Sequence, residues 1–379
     1  MWGTLFWITA TLGSITALLN VLGANFYDIQ QAGLRRQKLL QPHARRYRKR
    51  PLVTLIMASH NSEVTITSSL NSIIKSNYRK LEIIVVDQAS NDATAALVKQ
   101  FIKDHPAKHI RLCRQKQNYG AQQAWRYAHK KYAHGEVVML MDRPLTLDKS
   151  AITKAVEQFN MRQADILLPN YKIARSYTTA GLFQEFWLLL QNRAHKASNW
   201  LNSAYFIDPP ALVGSTAAIN QWLKRQPGLN ELRVRYASNV MVYGQALSLA
   251  KLVLAFYSQQ IKRLVAYGSI KPANRHIKQA LPMMASLITT LVALMALPLL
   301  TYFAYLAIKL HQPGFLLISW ATLALFLVFA IWEDEQLKLH QKVKYILLMP
   351  VTYVWFYLFT IVEYAVVLTS FRAWRFRKA

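Results

Sequence analysis

Residues 81–92 read Leu81-Glu82-Ile83-Ile84-Val85-Val86-Asp87-Gln88-Ala89-Ser90-Asn91-Asp92. The first six form a strand apolar enough to be buried on both faces, as strands of a parallel sheet are. It ends at Asp87. Upstream, Leu52 to Met57 is another short apolar, β-branched run, closed by Ser59-His60-Asn61-Ser62. Between the two strands, Val64 to Ser76 has helical spacing, with Ile66, Leu70, Ile73 and Ile74 on one side, and Tyr78-Arg79 closes it. Downstream, Asp92 to Asp104 is helical, Ile110 to Cys113 predicts a brief third strand, and Gln122 to Tyr132 a third helix. Glu136 to Met141 predicts a fourth strand, ending at Asp142. Strand–helix alternation with short loops predicts an α/β, doubly wound sheet. In such sheets ligands bind outside the carboxyl ends of the strands. His60, Asp87 and Asp142 follow three strand ends and are expected to converge on one crevice.

The rest of the chain separates oil from charge. In 379 residues, 46 Lys and Arg face 18 Asp and Glu, a formal net charge of +28, yet 53% of residues are hydrophobic. That apolar content excludes a disordered chain. A single cysteine, Cys113, excludes a disulfide scaffold and is most simply a buried apolar residue. Trp2 to Ala24 is long enough to span a hydrocarbon core of roughly 30 Å. It lacks a basic leader before it and a small-residue cleavage site after it, so an uncleaved anchor is expected. Arg35, Arg36, Lys38, Arg45, Arg46, Arg48, Lys49 and Arg50 follow with no acidic residue among them. Juxtamembrane Lys and Arg mark the cytoplasmic side and contact anionic lipid. No reading element for nucleic acid accompanies them, so no nucleic acid partner is expected.

Leu281 to Ile308, Gly314 to Trp332 and Tyr345 to Ser370 again reach spanning length. Four spans keep residues 25–280 cytoplasmic but place the basic tail outside, against the positive-inside tendency. That leaves room for one segment to be re-entrant or flat in the interface. Pro298 and Pro350 allow kinks, and Glu363 is expected to face protein or a polar cavity. The layout is therefore an N-terminal transmembrane anchor (1–27), a basic juxtamembrane segment (28–50), a folded domain (51–270) and a C-terminal transmembrane region (271–379).

The order of motifs in the folded domain resembles that of family-2 glycosyltransferases with the Rossmann-like GT-A fold. It is carried by Ala58-Ser59-His60-Asn61-Ser62, by Val85-Val86-Asp87-Gln88-Ala89-Ser90-Asn91-Asp92-Ala93-Thr94, by Asn118-Tyr119-Gly120-Ala121, and by Gly135-Glu136-Val137-Val138-Met139-Leu140-Met141-Asp142. The match is close over 51–150, the nucleotide-binding half, and loose over 151–270, the acceptor half. The anchor–domain–anchor layout also resembles the membrane-bound members. The resemblance implies sugar transfer, with inversion, from a nucleotide-diphospho-sugar donor to a lipid-linked or polysaccharide acceptor. It implies a multi-pass protein of the cell membrane whose catalytic domain is cytoplasmic, with membrane lipids and other envelope-biosynthesis proteins as further partners.

Residue by residue, the resemblance puts Asp87 and Asp142 on base and ribose. Gln88 stands for a second strand-end carboxylate and still offers donor and acceptor groups. His60, Asn118 and Gly120 join the nucleotide-binding set. The family's Asp-x-Asp motif is Asp142-Arg143-Pro144 here. Proline offers no side-chain ligand to Mg2+ or Mn2+, which want oxygen donors, so Asp142 alone of the pair is left for a metal. Either Arg143 or the lysine-rich surroundings neutralise the diphosphate instead, or transfer has been lost. The second outcome is a catalytically inactive pseudoglycosyltransferase, a binding or scaffold subunit in cell-envelope glycan assembly. The acidic base motif of the acceptor half is also degenerate, leaving Glu231 and Asp208 as base candidates. Gln260 and Arg263, in Gln260-Ile261-Lys262-Arg263-Leu264, match a family segment that contacts the diphosphate, although Leu264 replaces its aromatic. Trp125, Trp187 and Trp200 read as core or interface aromatics. The ten histidines show no metal-ligand spacing.

Overall fold

The computed structural model describes residues 50–160, 164–174, 178–200, 209–224, 232–258, 305–312 and 337–348, with residues 22–33 and scattered positions elsewhere. The chain divides into two compact units. One comprises Asp28–Ala174 and Asn202–Gln245, the other Met1–Tyr27, Arg175–Leu201 and Ala246–Ala379. The segments Arg175–Leu201 and 246–270, which the sequence groups with the folded domain, fall in the second of these.

The first unit follows the predicted alternation. Strand β1 (Val53–Ser59) leads to helix α1 (Glu63–Ile74), β2 (Leu81–Gln88), α2 (Thr94–Asp104), β3 (His109–Gln115), α3 (Ala121–Tyr132) and β4 (Val137–Met141). Then come β5 (Thr146–Leu147), α4 (Ala151–Asn160), β6 (Ile166–Ile173), β7 (Ala211–Ser215), α6 (Thr216–Lys224) and β8 (Val234–Gly244), with α5 (Thr179–Trp200) belonging to the other unit. Two boundaries move for visible reasons. Helix α2 starts at Thr94, with Ala93 at the N-cap position, and the Asp92 carboxylate just before it accepts the Thr94 N–H at 3.0 Å, which keeps Asp92 outside the helix. Strand β2 continues through Asp87 and Gln88 because both stay on the ladder, opposite Arg114 and Gln115 of β3.

Among the described residues the strands form one eight-stranded sheet, in the order β3-β2-β1-β4-β7-β6-β8-β5. Strands β3, β2, β1 and β4 are mutually parallel. From β4 onward the doubly wound expectation is corrected. β7 lies antiparallel to both β4 and β6, β6 is parallel to β8, and β5 is antiparallel to β8. The short loop after β4 leads to β5, which leaves β4 and pairs antiparallel with β8 at the far edge of the sheet. The result is a mixed α/β sheet.

Every residue of β1 and β4 is buried. One face carries Leu55, Met57, Ile83, Val85, Met139 and Met141 against Ile66, Leu70 and Ile73 of α1 and Val98 and Phe101 of α2. On the other, α3 packs against β1 and β2. Its fully buried Trp125 donates from Nε1 to the Met141 carbonyl at 2.9 Å and lies 5.9 Å from the Trp222 ring of α6. Trp125 and Cys113 are thus the buried residues that the sequence suggests. Gly135 fixes the entry to β4. A Cβ there would sit 2.6 Å from the Thr54 nitrogen and 2.7 Å from the Leu52 oxygen, so the chains can approach only if position 135 has no side chain.

In the second unit, Ala180, Phe183, Leu252, Phe256 and Phe359 form a small apolar cluster, with Phe183 and Phe359 stacked at 4.5 Å. Helix α7 (Leu339–Leu347) buries none of its residues. Among the described residues no helix is long and apolar enough to cross a membrane. The spans expected from sequence, with Pro298, Pro350 and Glu363, lie for the most part outside those residues.

Candidate active site at the carboxyl edge of the sheet

Strands β2, β1 and β4 are neighbours, with Ser59 opposite Asp87 and Met57 opposite Met141. Their carboxyl ends therefore bring His60, Asp87, Gln88 and Asp142 to one edge, as the motif order predicts. Two loops there are sewn together. His60 Nδ1 is 2.8 Å from the Gln88 carbonyl. The Asn61 N–H donates to Ser90 Oγ at 3.0 Å, and the Asn91 N–H returns to Asn61 Oδ1 at 3.0 Å. Lower down, the Ser62 N–H donates to Thr94 Oγ1 at 2.8 Å, the Glu63 N–H to Asp92 Oδ2 at 3.1 Å and the Ala93 N–H to Glu63 Oε2 at 3.0 Å. Asn61 (φ 48°) and Ala89 (φ 54°) both adopt the left-handed conformation. That conformation is uncommon for residues other than glycine and tends to persist where surrounding bonds over-determine it. Burial works against the charged form of Asp92, but hydrogen bonds, first from the Thr94 side chain and then from backbone N–H groups, outweigh it and hold the carboxyl below its ordinary pKa.

The Asp87 side chain, expected from the sequence to grip a nucleoside, is held by protein groups. Its carboxylate has 0% exposure and is taken up by protein groups. Oδ1 accepts the Ser90 N–H at 3.2 Å and Oδ2 accepts Nε of Arg114 at 3.1 Å, while Arg114 Nη2 also donates to the Ser90 carbonyl at 3.2 Å. Strand alternation explains this: Asp87 shares the face of Ile83 and Val85, and Gln88 takes the opposite one. Asp87 therefore shapes the loop. Gln88 is buried too, yet its Oε1 has no hydrogen-bond partner, nor do the buried Oγ of Ser59 and Oε1 of Gln115. Ser59 belongs to the motif that closes β1, whereas Gln115 carries no signal in the sequence. Only the register, with Gln115 opposite Gln88, brings Gln115 to this edge.

Asp142 opens the loop after β4, its N–H donating to the Pro210 carbonyl at 3.0 Å. The neighbouring Arg143 closes on its carboxylate at two points, Nε to Oδ1 at 2.9 Å and Nη2 to Oδ2 at 2.7 Å. The guanidinium is 48% exposed and the carboxylate 15%. Tyr171 of β6, which carries no sequence signal, belongs to this corner. Burial raises its phenol pKa, with the Arg143 charge drawing it back and the Asp142 charge adding to the rise. A divalent cation fits this donor set poorly. Asp142 is paired with Arg143, Pro144 has no side-chain donor, and among the described residues no group of three or more His, Cys, Asp or Glu could hold a metal ion.

Asn118 and Gly120 are exposed at the start of α3. Asn118 Oδ1 accepts the Gly120 N–H at 2.9 Å, and Gly120 has φ 83°, so this turn favours glycine. The remaining residues of the expected site, Asp208, Glu231, Gln260 and Arg263, lie outside the described residues.

Comparison with known proteins gives this edge a context. Residues 54–221 match the model of Glycosyl transferase family 2. Over 132 residues the chain is 28% identical to the UDP-Glc:alpha-D-GlcNAc-diphosphoundecaprenol beta-1,3-glucosyltransferase WfgD of Escherichia coli, covering 35% of this chain and 50% of that protein. Over 107 residues it is 28% identical to the poly-beta-1,6-N-acetyl-D-glucosamine synthase of Staphylococcus epidermidis, covering 28% of this chain and 25% of that one. The chain thus spans between a quarter and a half of these relatives' length. Among solved structures, the mannosyltransferase PcManGT from Pyrobaculum calidifontis, in complex with GDP-Man and Mn2+, superposes with a TM-score of 0.56 at 17% identity. That superposition covers 93% of this chain and 99% of that one, a likeness of fold. Residues 54–221 of this chain are thus similar to Glycosyl transferase family 2, and the mixed α/β sheet is of the GT-A-like kind.

Proposed function

We propose that the chain is an integral-membrane glycosyltransferase. It takes a sugar from a nucleotide-diphospho-sugar and adds it to a lipid-linked or polysaccharide acceptor of the cell envelope, at the cytoplasmic face. One observation carries this reading: the adjoining carboxyl ends of β2, β1 and β4 set His60, Gln88 and Asp142 along a single edge. Ligands of open α/β sheets bind at such an edge. The relatives support the donor and acceptor classes, since one is named for UDP-Glc and a diphosphoundecaprenol-linked sugar and another for a polymer. The apolar runs of the sequence support the membrane setting. So does the placement of exposed large apolar side chains, which among the described residues fall mainly outside the sheet unit, at Leu18, Leu19, Leu22, Leu254, Ile308, Leu347 and others.

In the reaction the bond between the anomeric carbon and the diphosphate oxygen breaks, and its electron pair leaves with the diphosphate. The acceptor hydroxyl oxygen forms the new bond to that carbon and gives up its proton to a base. Gln88 has acceptor capacity to spare for a base N–H. His60 and Asp142 stand where the nucleoside would lie, and Asp208 and Glu231 remain the candidates for the base.

The test is a donor panel of UDP-glucose, UDP-N-acetylglucosamine and GDP-mannose, given to the full chain in membranes with a polyprenol-linked acceptor. Nucleoside diphosphate release is measured for wild type and Asp142→Ala. Release that falls on the order of 10²-fold in the variant supports the reading. Equal release in both proteins would remove Asp142 from the site. Donor binding with neither hydrolysis nor transfer would favour a catalytically silent, scaffolding relative.

A further inference from the structure

We infer that Ser69 and Ser72 of α1 are positioning residues for Asp142: their hydroxyls clamp the segment that follows it and so set where its carboxylate meets the donor. The inference rests on the glycosyltransferase reading, which puts Asp142 beside the donor, and deepens it.

The segment after Asp142 is tied to α1 and to the turn that ends it. Ser69 is fully buried and donates from Oγ to the Leu145 carbonyl at 2.6 Å. Ser72 Oγ donates to the Ser69 carbonyl at 2.7 Å, which leaves its lone pairs for the Leu147 N–H, accepted at 3.0 Å. Just past the helix, Ser76 Oγ and the Asn77 N–H both donate to the Lys149 carbonyl, at 3.3 and 2.9 Å. The same segment pairs as β5 with β8, Thr146 opposite Tyr243 and Leu147 opposite Val242.

These ties reach Asp142 through a short, stiff connection. Upstream, Met141 is held on the ladder opposite Ala211, and the Asp142 N–H donates to the Pro210 carbonyl at 3.0 Å. Downstream, Ser69 fixes Leu145, and Arg143 and Pro144 stand between. Proline locks its own φ and confines the residue before it to extended backbone, so a shift of Leu145 passes back to Asp142. Helix α1 also starts at Glu63, directly after His60-Asn61-Ser62. One rigid element thus carries the His60 loop at its head and clamps the Asp142 loop further along. Chemistry is sensitive to such placement: a displacement of about 1 Å caused far from the reacting atoms can cost on the order of 10²-fold.

The experiment measures kcat/KM for nucleoside diphosphate release by the full chain in membranes. Ser69→Ala, Ser72→Ala and Ser72→Thr are each made in wild type and in Asp142→Ala. Ser68→Ala is the control, since its hydroxyl donates to the Thr65 carbonyl inside α1. Unfolding midpoints show which variants are folded at the assay temperature, and the Ser72 variants carry the test if Ser69→Ala is not. In wild type, Ser69→Ala is expected to lower kcat/KM about tenfold and Ser72→Ala about three- to tenfold. Ser72→Thr, which keeps the oxygen, is expected to restore most of the loss. In the Asp142→Ala background the same changes are expected to cost less than about twofold, because the group they position is gone. Equal fold losses in both backgrounds would make the serines supports of the fold with no route through Asp142, and overturn the inference. So would serine variants that turn over as wild type does, and either result leaves the glycosyltransferase reading standing. Full release by Asp142→Ala alone removes Asp142 from the site and takes the inference with it. A wild-type chain that releases no nucleoside diphosphate from any donor brings down the glycosyltransferase reading as well.

Discussion

Arg114 and Asp87 are register partners on adjacent parallel strands, and their side chains meet at 3.1 Å with the carboxylate wholly buried and the guanidinium mostly open to water. The contact does more than pair two charges. Asp87 also accepts the Ser90 N–H and Arg114 also donates to the Ser90 carbonyl, so both ends of the turn at residues 87–90 are tied to one ion pair. The loop at the carboxyl edge of the sheet is thereby held from below.

Removing either partner should therefore loosen the edge. Asp87→Ala is expected to destabilise the domain by about 2–4 kcal/mol, because a buried hydrogen-bonded charge is lost and the Ser90 N–H is orphaned. Arg114→Ala should cost less, about 1–3 kcal/mol, since water can reach part of its site. Thermal or denaturant unfolding of both single variants and the double variant checks this. Additivity within about 0.5 kcal/mol would show that the two residues are not coupled.

Ala89 sits beside this turn at φ 54°, where a Cβ is disfavoured. Ala89→Gly is expected to raise stability by roughly 0.5–1 kcal/mol, the relief of left-handed strain exceeding the entropy that glycine loses on folding. Ala89→Val should lower it. A melting temperature that falls with glycine would mean that the Ala89 methyl makes a packing contribution outweighing the strain.

Asp92 gives the edge a pH dependence. Its folded pKa lies below the ordinary 3.8, because hydrogen bonds from Thr94 and neighbouring N–H groups overcome burial. A depressed carboxyl contributes stability that is fully present above its unfolded value and disappears as pH falls through the folded one. Asp92→Asn should thus be less stable than wild type at neutral pH, with the difference shrinking once pH drops below 3.8. Paired unfolding curves across that range test it. A difference that does not vary with pH would assign the effect to packing.

At the opposite edge, Gly135→Ala should be poorly tolerated. The added methyl meets the backbone of Thr54 and Leu52 at 2.6 and 2.7 Å, and neither is a flexible side-chain end. A loss of about 1–3 kcal/mol is expected, as for overpacking in a core. Unfolding midpoints of this variant against Gly120→Ala, which meets nothing within 4 Å but carries a positive φ, separate steric from conformational cost. Equal losses at the two positions would count against the close approach at β4.

Much of the sheet was legible in the sequence. Strands β1, β2 and β4 are short continuous apolar runs, and α1 shows Ile66, Leu70 and Ile73 at helical spacing, so local periodicity alone separates them. Strand β3 was harder to bound, because as an edge strand it alternates exposed and covered residues and contains two arginines. The antiparallel strands after β4 had no such local mark. Their direction depends on chain segments that return from another unit.

The site divides along the same line. Strand ends and their order placed His60, Asp87 and Asp142 at one edge before any coordinates. Nothing local revealed that Asp87 turns inward to Arg114, that Gln115 stands opposite Gln88, or that Tyr171 feels the charges of Asp142 and Arg143. Those relations join residues between 27 and 29 positions apart along the chain. Composition and periodicity determine which segments become strands and helices, since burial of an apolar face is a property of the segment itself. Which face of the sheet a strand-end carboxylate takes is decided by register and by strand alternation, because a shift of one residue sends a side chain to the other face.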